Sequence, residues 1–274
     1  MLMATDPVKR EILRTMQERV VELSPGELYA ISPEGRQALF VGFSAERWLH
    51  SAPQGPLPFD SPEGDAAIVA LAEGWSAAVV HALARGPLTF RELHRTVESM
   101  SRRALKRHLL AMQSAGQVEV HPEEGGEDAV YALTSWLRAG IAPLIAAARI
   151  ELRTPIAGAE PIDVLDVEAG FLLSLSLISL PPEITGTCKL GINLGADRGS
   201  GLTGVTTRIE QGQLVSIEPG LEGKANAWAA GPIGDWLDTV IEPDAKTVRT
   251  GGDKWLAAAV LDALHKALFG VPVA

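Results

Sequence analysis

The chain has one cysteine, Cys188, in 274 residues. A lone thiol permits no internal disulfide and no cysteine-based metal cluster, which fits a reducing compartment. Long hydrophobic runs are also missing. The longest, "FLLSLSLISL" (Phe171 to Leu180), is ten residues and stops at Pro181 and Pro182, and the opening "MLMATDPVKREIL" lacks the apolar stretch of a secretion signal. A cytoplasmic protein with no membrane span is expected. Positive charge is scarce too: the formal net charge is −10 and the pI about 5.1. That balance excludes a protein that coats nucleic acid without specificity, but not one basic helix on an acidic body.

Reaction chemistry is absent from the sequence. It contains no G-x-S-x-G, P-loop, H-E-x-x-H or cysteine pair. His50, His81, His94, His108, His121 and His265 are scattered over different elements and read as surface or capping residues. Asp235 and Asp238 fall on one predicted helix and read as its solvated face. "GSGLTG" gives Gly199, Gly201 and Gly204 the G-x-G-x-x-G spacing, yet strands follow where a dinucleotide site needs a helix, so the stretch reads as a loop. No nucleophile has a partner, so neither an enzyme nor a cofactor is expected.

What is there is an ordinary folded composition, 46% hydrophobic and 21% charged, divided by two Pro/Gly-rich stretches. These candidate linkers are Ser51 to Asp65 and Arg153 to Asp163. Between them, "AAIVALAEGWSAAVVHALARG" has helical spacing up to Gly86-Pro87, and "TFRELHRTV" restarts with Thr89 as N-cap and Glu92 three residues on, a capping box. "SMSRRALKRHLLAMQSAG" predicts a third helix from Ser101 to Gly116, with Leu105, Leu109 and Met112 on one side. Arg102, Arg103, Lys106 and Arg107 fall mostly on the other. "QVEV" and "AVYALT" flank Gly125-Gly126 as a hairpin, and "SWLRAGIAPLIAAARIEL" predicts a final apolar helix bent at Pro143 that needs a covering partner.

That order describes a winged helix-turn-helix whose third helix enters the major groove. Trp75, "GPLTFREL" (Gly86 to Leu93), the set Ser101, Leu105, Leu109, Met112, Gly116, and "YALT" (Tyr131 to Thr134) resemble the HxlR-type branch of the MarR-like winged-helix regulators. The resemblance covers roughly Gly64 to Leu152. It implies a dimeric bacterial transcription factor with Ser101 to His108 as the DNA-reading face. Thr89, Arg91, Ser101, Arg102, Arg103, Lys106 and Arg107 are the candidate DNA contacts. Two departures stand out: no cysteine lies near the first helix, so thiol sensing is unsupported, and the wing tip carries Glu123, Glu124, Glu127 and Asp128, which phosphate repels.

The N-terminal segment repeats part of this domain. "MQERVVEL...ELYAISPEGRQAL" (Met16 to Leu39) parallels "MQSAGQVEV...AVYALTSWLRAG" (Met112 to Gly140) but lacks counterparts of the first two helices. Asp6 to His50 is therefore expected to pack on the second copy, giving a pseudo-dimer within one chain, or on another subunit in a homodimer. An upstream start codon is the alternative.

From Val164 onward, "FLLSLSLISL", "TCKLGINLG", "LTGVTTRIEQGQLVSIEPG" and "ANAWAAG" read as strands, with "EQGQ" as a hairpin turn. "PIGDWLDTVIE" and "KWLAAAVLDALHKALFG" read as helices that cover one face of an antiparallel sheet. The fold class expected is α+β: an incomplete winged-helix repeat (1–52), a winged helix-turn-helix (64–152) and an α+β domain (164–270). The order of elements from Thr185 to Phe269, with "GGD" before the last helix, resembles the type-two sterol-carrier-protein fold, which implies an apolar tunnel for a hydrophobic molecule. Phe171, Leu173, Trp228, Trp236 and Trp255 are the candidate ligand-binding residues; the alternative is that the tryptophans fill a core.

Two functions compete. One is a ligand-responsive regulator that binds DNA and a hydrophobic effector, coupled through Arg153 to Asp163 and the apolar helix before it. The other is a binding or sequestration protein on a winged-helix scaffold that no longer binds DNA. A cofactor-free enzyme is third, with no residues to support it.

Overall fold

The computed structural model describes residues 33–270 apart from 73, 98–99, 122–128, 155–161, 196–200, 243 and 245–246. The first half holds α1 (Pro33–His50), α2 (Pro62–Ala72), α3 (Gly74–Ala84), β1 (Leu88–Thr89), α4 (Phe90–Thr96), α5 (Arg102–Ser114), β2 (Val118–His121), β3 (Val130–Leu133), α6 (Ser135–Ala139) and α7 (Ile141–Arg153). The three strands form one antiparallel sheet in the order β1-β3-β2.

Local chemistry sets these boundaries. Thr89 and Glu92 complete the capping box at α4, and Ser101 Oγ accepts the Ala104 N–H at the start of α5. At the other end of α5, Gly116 (φ +65°) takes the left-handed position, and Gly116 and Gln117 donate back to Gln113 and Met112. Thr134 Oγ1 accepts from the Leu137 N–H to begin α6 and donates to the Gly116 carbonyl at 2.8 Å, tying the hairpin to the end of α5.

The second half holds α8 (Val164–Leu175), β4 (Gly186–Asn193), β5 (Leu202–Glu210), β6 (Gln213–Pro219), β7 (Ala227–Pro232), α9 (Ile233–Ile241), β8 (Arg249–Gly252) and α10 (Lys254–Phe269). Its five-stranded sheet runs β6-β5-β4-β7-β8. Gln211 (φ 50°) and Gly212 (φ 77°) form the two-residue hairpin turn between β5 and β6, where both positions need positive φ.

Helices and strands mix as expected, with four differences. The segment Val164–Leu175, whose second half was expected as strand, is helix. A short apolar run does not distinguish a buried strand from a buried helix, and the Asp163/Asp166 capping box decides in favour of the helix. The sheet is mixed rather than antiparallel, because β4 and β7 pair in parallel. The apolar stretch Ser135 to Arg153 breaks at Gly140, not at Pro143. Pro143 sits in the first turn of α7, where a missing N–H removes no helical hydrogen bond, and a side chain at Gly140 would strike Leu71 and Trp48. The stretch Ala66 to Ala84, expected as one helix, forms the pair α2 and α3, bent by 53°. Among the described residues no single helix is long and apolar enough to cross a membrane.

One hydrophobic core runs through both halves, from Trp48 and Leu137 to Leu190 and Leu264. Helix α8 touches α3, α6 and α7 on one side and β5, β6 and α10 on the other. Helix α1 covers α7, the partner its apolar surface needed. Arg47 at the end of α1 donates to the Leu268 and Gly270 carbonyls (2.7 and 3.1 Å), capping the C-terminus of α10. The described part of the N-terminal segment thus packs within its own chain. Most of the repeat, residues 1–32, lies outside the described residues.

Candidate functional site

Helix α5 presents two chemically distinct faces. Leu105, Leu109 and Met112 are buried in the core, whereas Arg102, Arg103, Lys106 and Arg107 are exposed. Among the described residues, none of Arg103, Lys106 or Arg107 pairs with a carboxylate, so a row of positive charge faces water. Leu110, 55% exposed, lies on the same open side.

Three neighbours are differently engaged. The Arg102 guanidinium rests over the Phe90 ring, 5.5 Å from its centroid, a cation–π contact that ties α5 to α4. His108, expected at the end of the DNA-reading face, turns inward: its Nε2 lies 3.0 Å from Ser76 Oγ of α3, and burial lowers its pKa. Thr89 works as a cap, its hydroxyl and N–H both donating to the Glu92 carboxylate at 2.8 Å, which holds that carboxyl below the usual range. Arg91 is exposed on α4, and Ser101 caps α5. The acidic wing tip, Glu123 to Asp128, lies outside the described residues.

The second feature is a cavity of about 80 Å³ enclosed by α7, α8, α9, α10 and the end of β4. Ile141, Ile145 and Ala148 come from α7, Val167, Gly170 and Phe171 from α8, and Trp236, Leu237 and Val240 from α9. Phe171 meets Trp236 edge-on, with ring centroids 5.2 Å apart at 83°, and the Trp236 N–H donates to the Gly191 carbonyl at 2.7 Å. Among the described residues of this lining, Asp166 is the one ionisable side chain, and it is 1% exposed. Its Oδ2 accepts the Asp163 N–H at 3.0 Å, so the α8 capping box turns one carboxylate oxygen back to the start of the helix.

Of the five residues expected to line a ligand site, the structure brings Phe171 and Trp236 together at the cavity. Leu173 is buried but turns away, since the α8 positions that line the cavity are 166, 167, 170, 171 and 174. Trp228 and Trp255 are corrections: they are 42% and 59% exposed and lie outside the cavity. In β7 the side chains alternate, so Ala227 and Ala229 point into the core and Trp228 points out, its indole lying on Gly251 of β8. Trp255 follows the Asp253 N-cap on the outer side of α10. Sequence reading missed Asp166, although "DVLD" carried the signal of a capping box.

The two features are mechanically joined. Helix α7 walls the cavity and continues from the hairpin through α6 and Gly140. It is tied to α9 by Arg149, which contacts Asp238 (2.7 Å) and Glu242 (2.6 Å), and by Arg153, which contacts Asp238 (2.6 Å). Asp238, expected on a solvated face, is the shared acceptor of this ion-pair network. Arg138 of α6 donates to the Leu83 and Ala84 carbonyls at the end of α3 and to Ser176 Oγ after α8. His81 of α3 feels the Asp166 charge, but burial outweighs it and holds the imidazole below its ordinary range.

Two solved structures of YodB from B. subtilis are similar to part of the chain. The diamide-treated form is 22% identical with a TM-score of 0.31, covering 35% of this chain and 97% of that one. The reduced form, described as a transcriptional regulator, is 23% identical with a TM-score of 0.31, covering 36% and 98%. No protein-family model and no curated protein matches the chain.

Proposed function

We propose that the protein is a ligand-responsive, DNA-binding transcriptional regulator of the bacterial cytoplasm, in which α5 reads DNA and the cavity binds a hydrophobic effector. The observation that carries this reading is the double role of α7, whose Ile141, Ile145 and Ala148 wall the cavity while its N-terminus continues the hairpin that follows α5. A ligand that changes the packing of α7 therefore has a route to the DNA-facing half, provided that it favours one arrangement over another. The exposed row Arg103, Lys106 and Arg107 suits phosphate and base-edge contacts, with the exposed Arg91 and Arg102 beside it. The second half is read as sterol-carrier-like, with helices closing an apolar pocket against one face of its sheet. The packing of α1 on α7 supports the intramolecular pseudo-dimer over a role for that helix in a homodimer.

The test measures DNA affinity with and without a saturating pocket ligand, using Ala148→Phe as the blocked control. A shift in the parent protein that is lost in the variant supports the reading, and unchanged affinity at saturation contradicts it.

A second reading, a small-molecule binder that has lost DNA binding, is favoured by the net charge of −10 and the acidic wing sequence. It predicts ligand binding with no preference for any duplex.

A further inference from the structure

We infer that the cavity takes a small neutral hydrocarbon, about the size of a single ring, and rejects molecules of that size that carry a polar or charged group. This rests on the cavity being a ligand site, as proposed above, and adds the chemical class. Ile141, Ile145, Val167, Phe171, Trp236 and Leu264 give the lining an apolar surface. Among the described residues of that lining, the side chains with polar atoms are Asp166, Ser174 and Trp236, and each is turned to a partner within the protein. Asp166 Oδ2 accepts the Asp163 N–H at 3.0 Å, and the residue has a further interaction. Ser174 Oγ donates to the Gly170 carbonyl and the Trp236 N–H to the Gly191 carbonyl, both at 2.7 Å.

A ligand enters such a space by giving up water. A polar group that leaves water here finds side chains already engaged and loses its hydrogen bonds, and a charged group loses far more. A hydrocarbon gives up no hydrogen bond, so burying its surface is favourable. Size sets the second limit. The cavity measures about 80 Å³, whereas an apolar cavity of roughly 150 Å³ is known to bind benzene. A single small ring is therefore the upper bound, and a long acyl chain or a sterol exceeds it. Gly170 keeps the space open: a Cβ built there meets no atom within 4 Å, on the α8 face that lines the cavity.

Calorimetry on the full chain at neutral pH with benzene, its isostere pyridine and the cationic ring pyrrolidine tests this. Benzene binding about tenfold or more tighter than pyridine, with pyrrolidine weaker again, is expected. Gly170→Ala adds one methyl to the space without a clash, and should weaken benzene about tenfold with no fall in melting temperature, so the loss does not report unfolding. Ala148→Phe fills more of the space and should abolish benzene binding. Pyridine or pyrrolidine binding as tightly as benzene overturns the hydrocarbon assignment and leaves the cavity reading standing. Benzene binding undiminished in both variants places it elsewhere and also overturns the assignment. If none of the three ligands binds, the cavity reading itself fails, and this inference with it.

Discussion

Trp48 and Trp136 stack with ring centroids 5.4 Å apart, and each indole N–H donates to the backbone carbonyl of the other residue, at 2.7 and 2.9 Å. This reciprocal pair joins the end of α1 to α6, beside Gly140 and the start of α7. Both residues are buried; the Trp48 carbonyl also accepts from the Ser51 N–H and hydroxyl, whereas the Trp48 indole is the donor that the Trp136 carbonyl relies on.

Trp48→Phe keeps most of the ring but leaves the Trp136 carbonyl without its donor. Urea unfolding should show a loss of about 1–3 kcal/mol, the cost of an unsatisfied buried acceptor. The Trp136→Phe change should cost less, because the Trp48 carbonyl still accepts from the Ser51 N–H and hydroxyl, and the double variant less than the sum, because the stacking is shared. Additive losses would mean that the two bonds act independently.

The architecture was legible where one local rule acted alone. Ser101, Thr89 with Glu92, and the Leu105/Leu109/Met112 stripe marked α4 and α5 through capping and period, and Gln211-Gly212 marked its hairpin through positive φ. The misses came where tertiary context decides. Helix α8 is apolar nearly all round because it lies between the two halves, so no period separated it from a strand. Trp236 and Trp228 look alike in composition, but one sits on a helix face turned inward and the other on the outward side of a strand. His108 shares α5 with Arg107, yet lies far enough round it to meet Ser76.

Stability should fall with pH below the ordinary histidine range. Burial lowers the pKa of His81 and His108 in the folded state, so the unfolded chain takes up protons first. Above about pH 6.5 both imidazoles are neutral in both states and no penalty applies; below it, proton uptake favours unfolding. Melting temperatures measured between about pH 7.5 and 5 should drop less in His81→Gln/His108→Gln than in the parent protein. Equal slopes would assign the acid sensitivity to other groups.

Cys188 is fully buried in β4, and burial pushes its thiol up to about 12. The thiolate is the reactive form, so an aromatic disulfide reagent should label the native protein only as fast as it unfolds. One thiol per chain should react at once in denaturant. Rapid labelling of the folded protein would show that β4 opens locally.

The most direct test of a DNA-reading α5 is fluorescence polarization of the parent protein and of Arg103→Ala/Lys106→Ala/Arg107→Ala on duplexes from upstream of its own gene, at about 50 and 200 mM salt. The parent should prefer that DNA over a scrambled duplex at the higher salt. The triple variant should lose affinity, lower the salt slope by about 1 per residue removed, and melt at the same temperature, since all three side chains are exposed. No duplex preference at either salt, or a triple variant that binds as the parent does, would contradict the account.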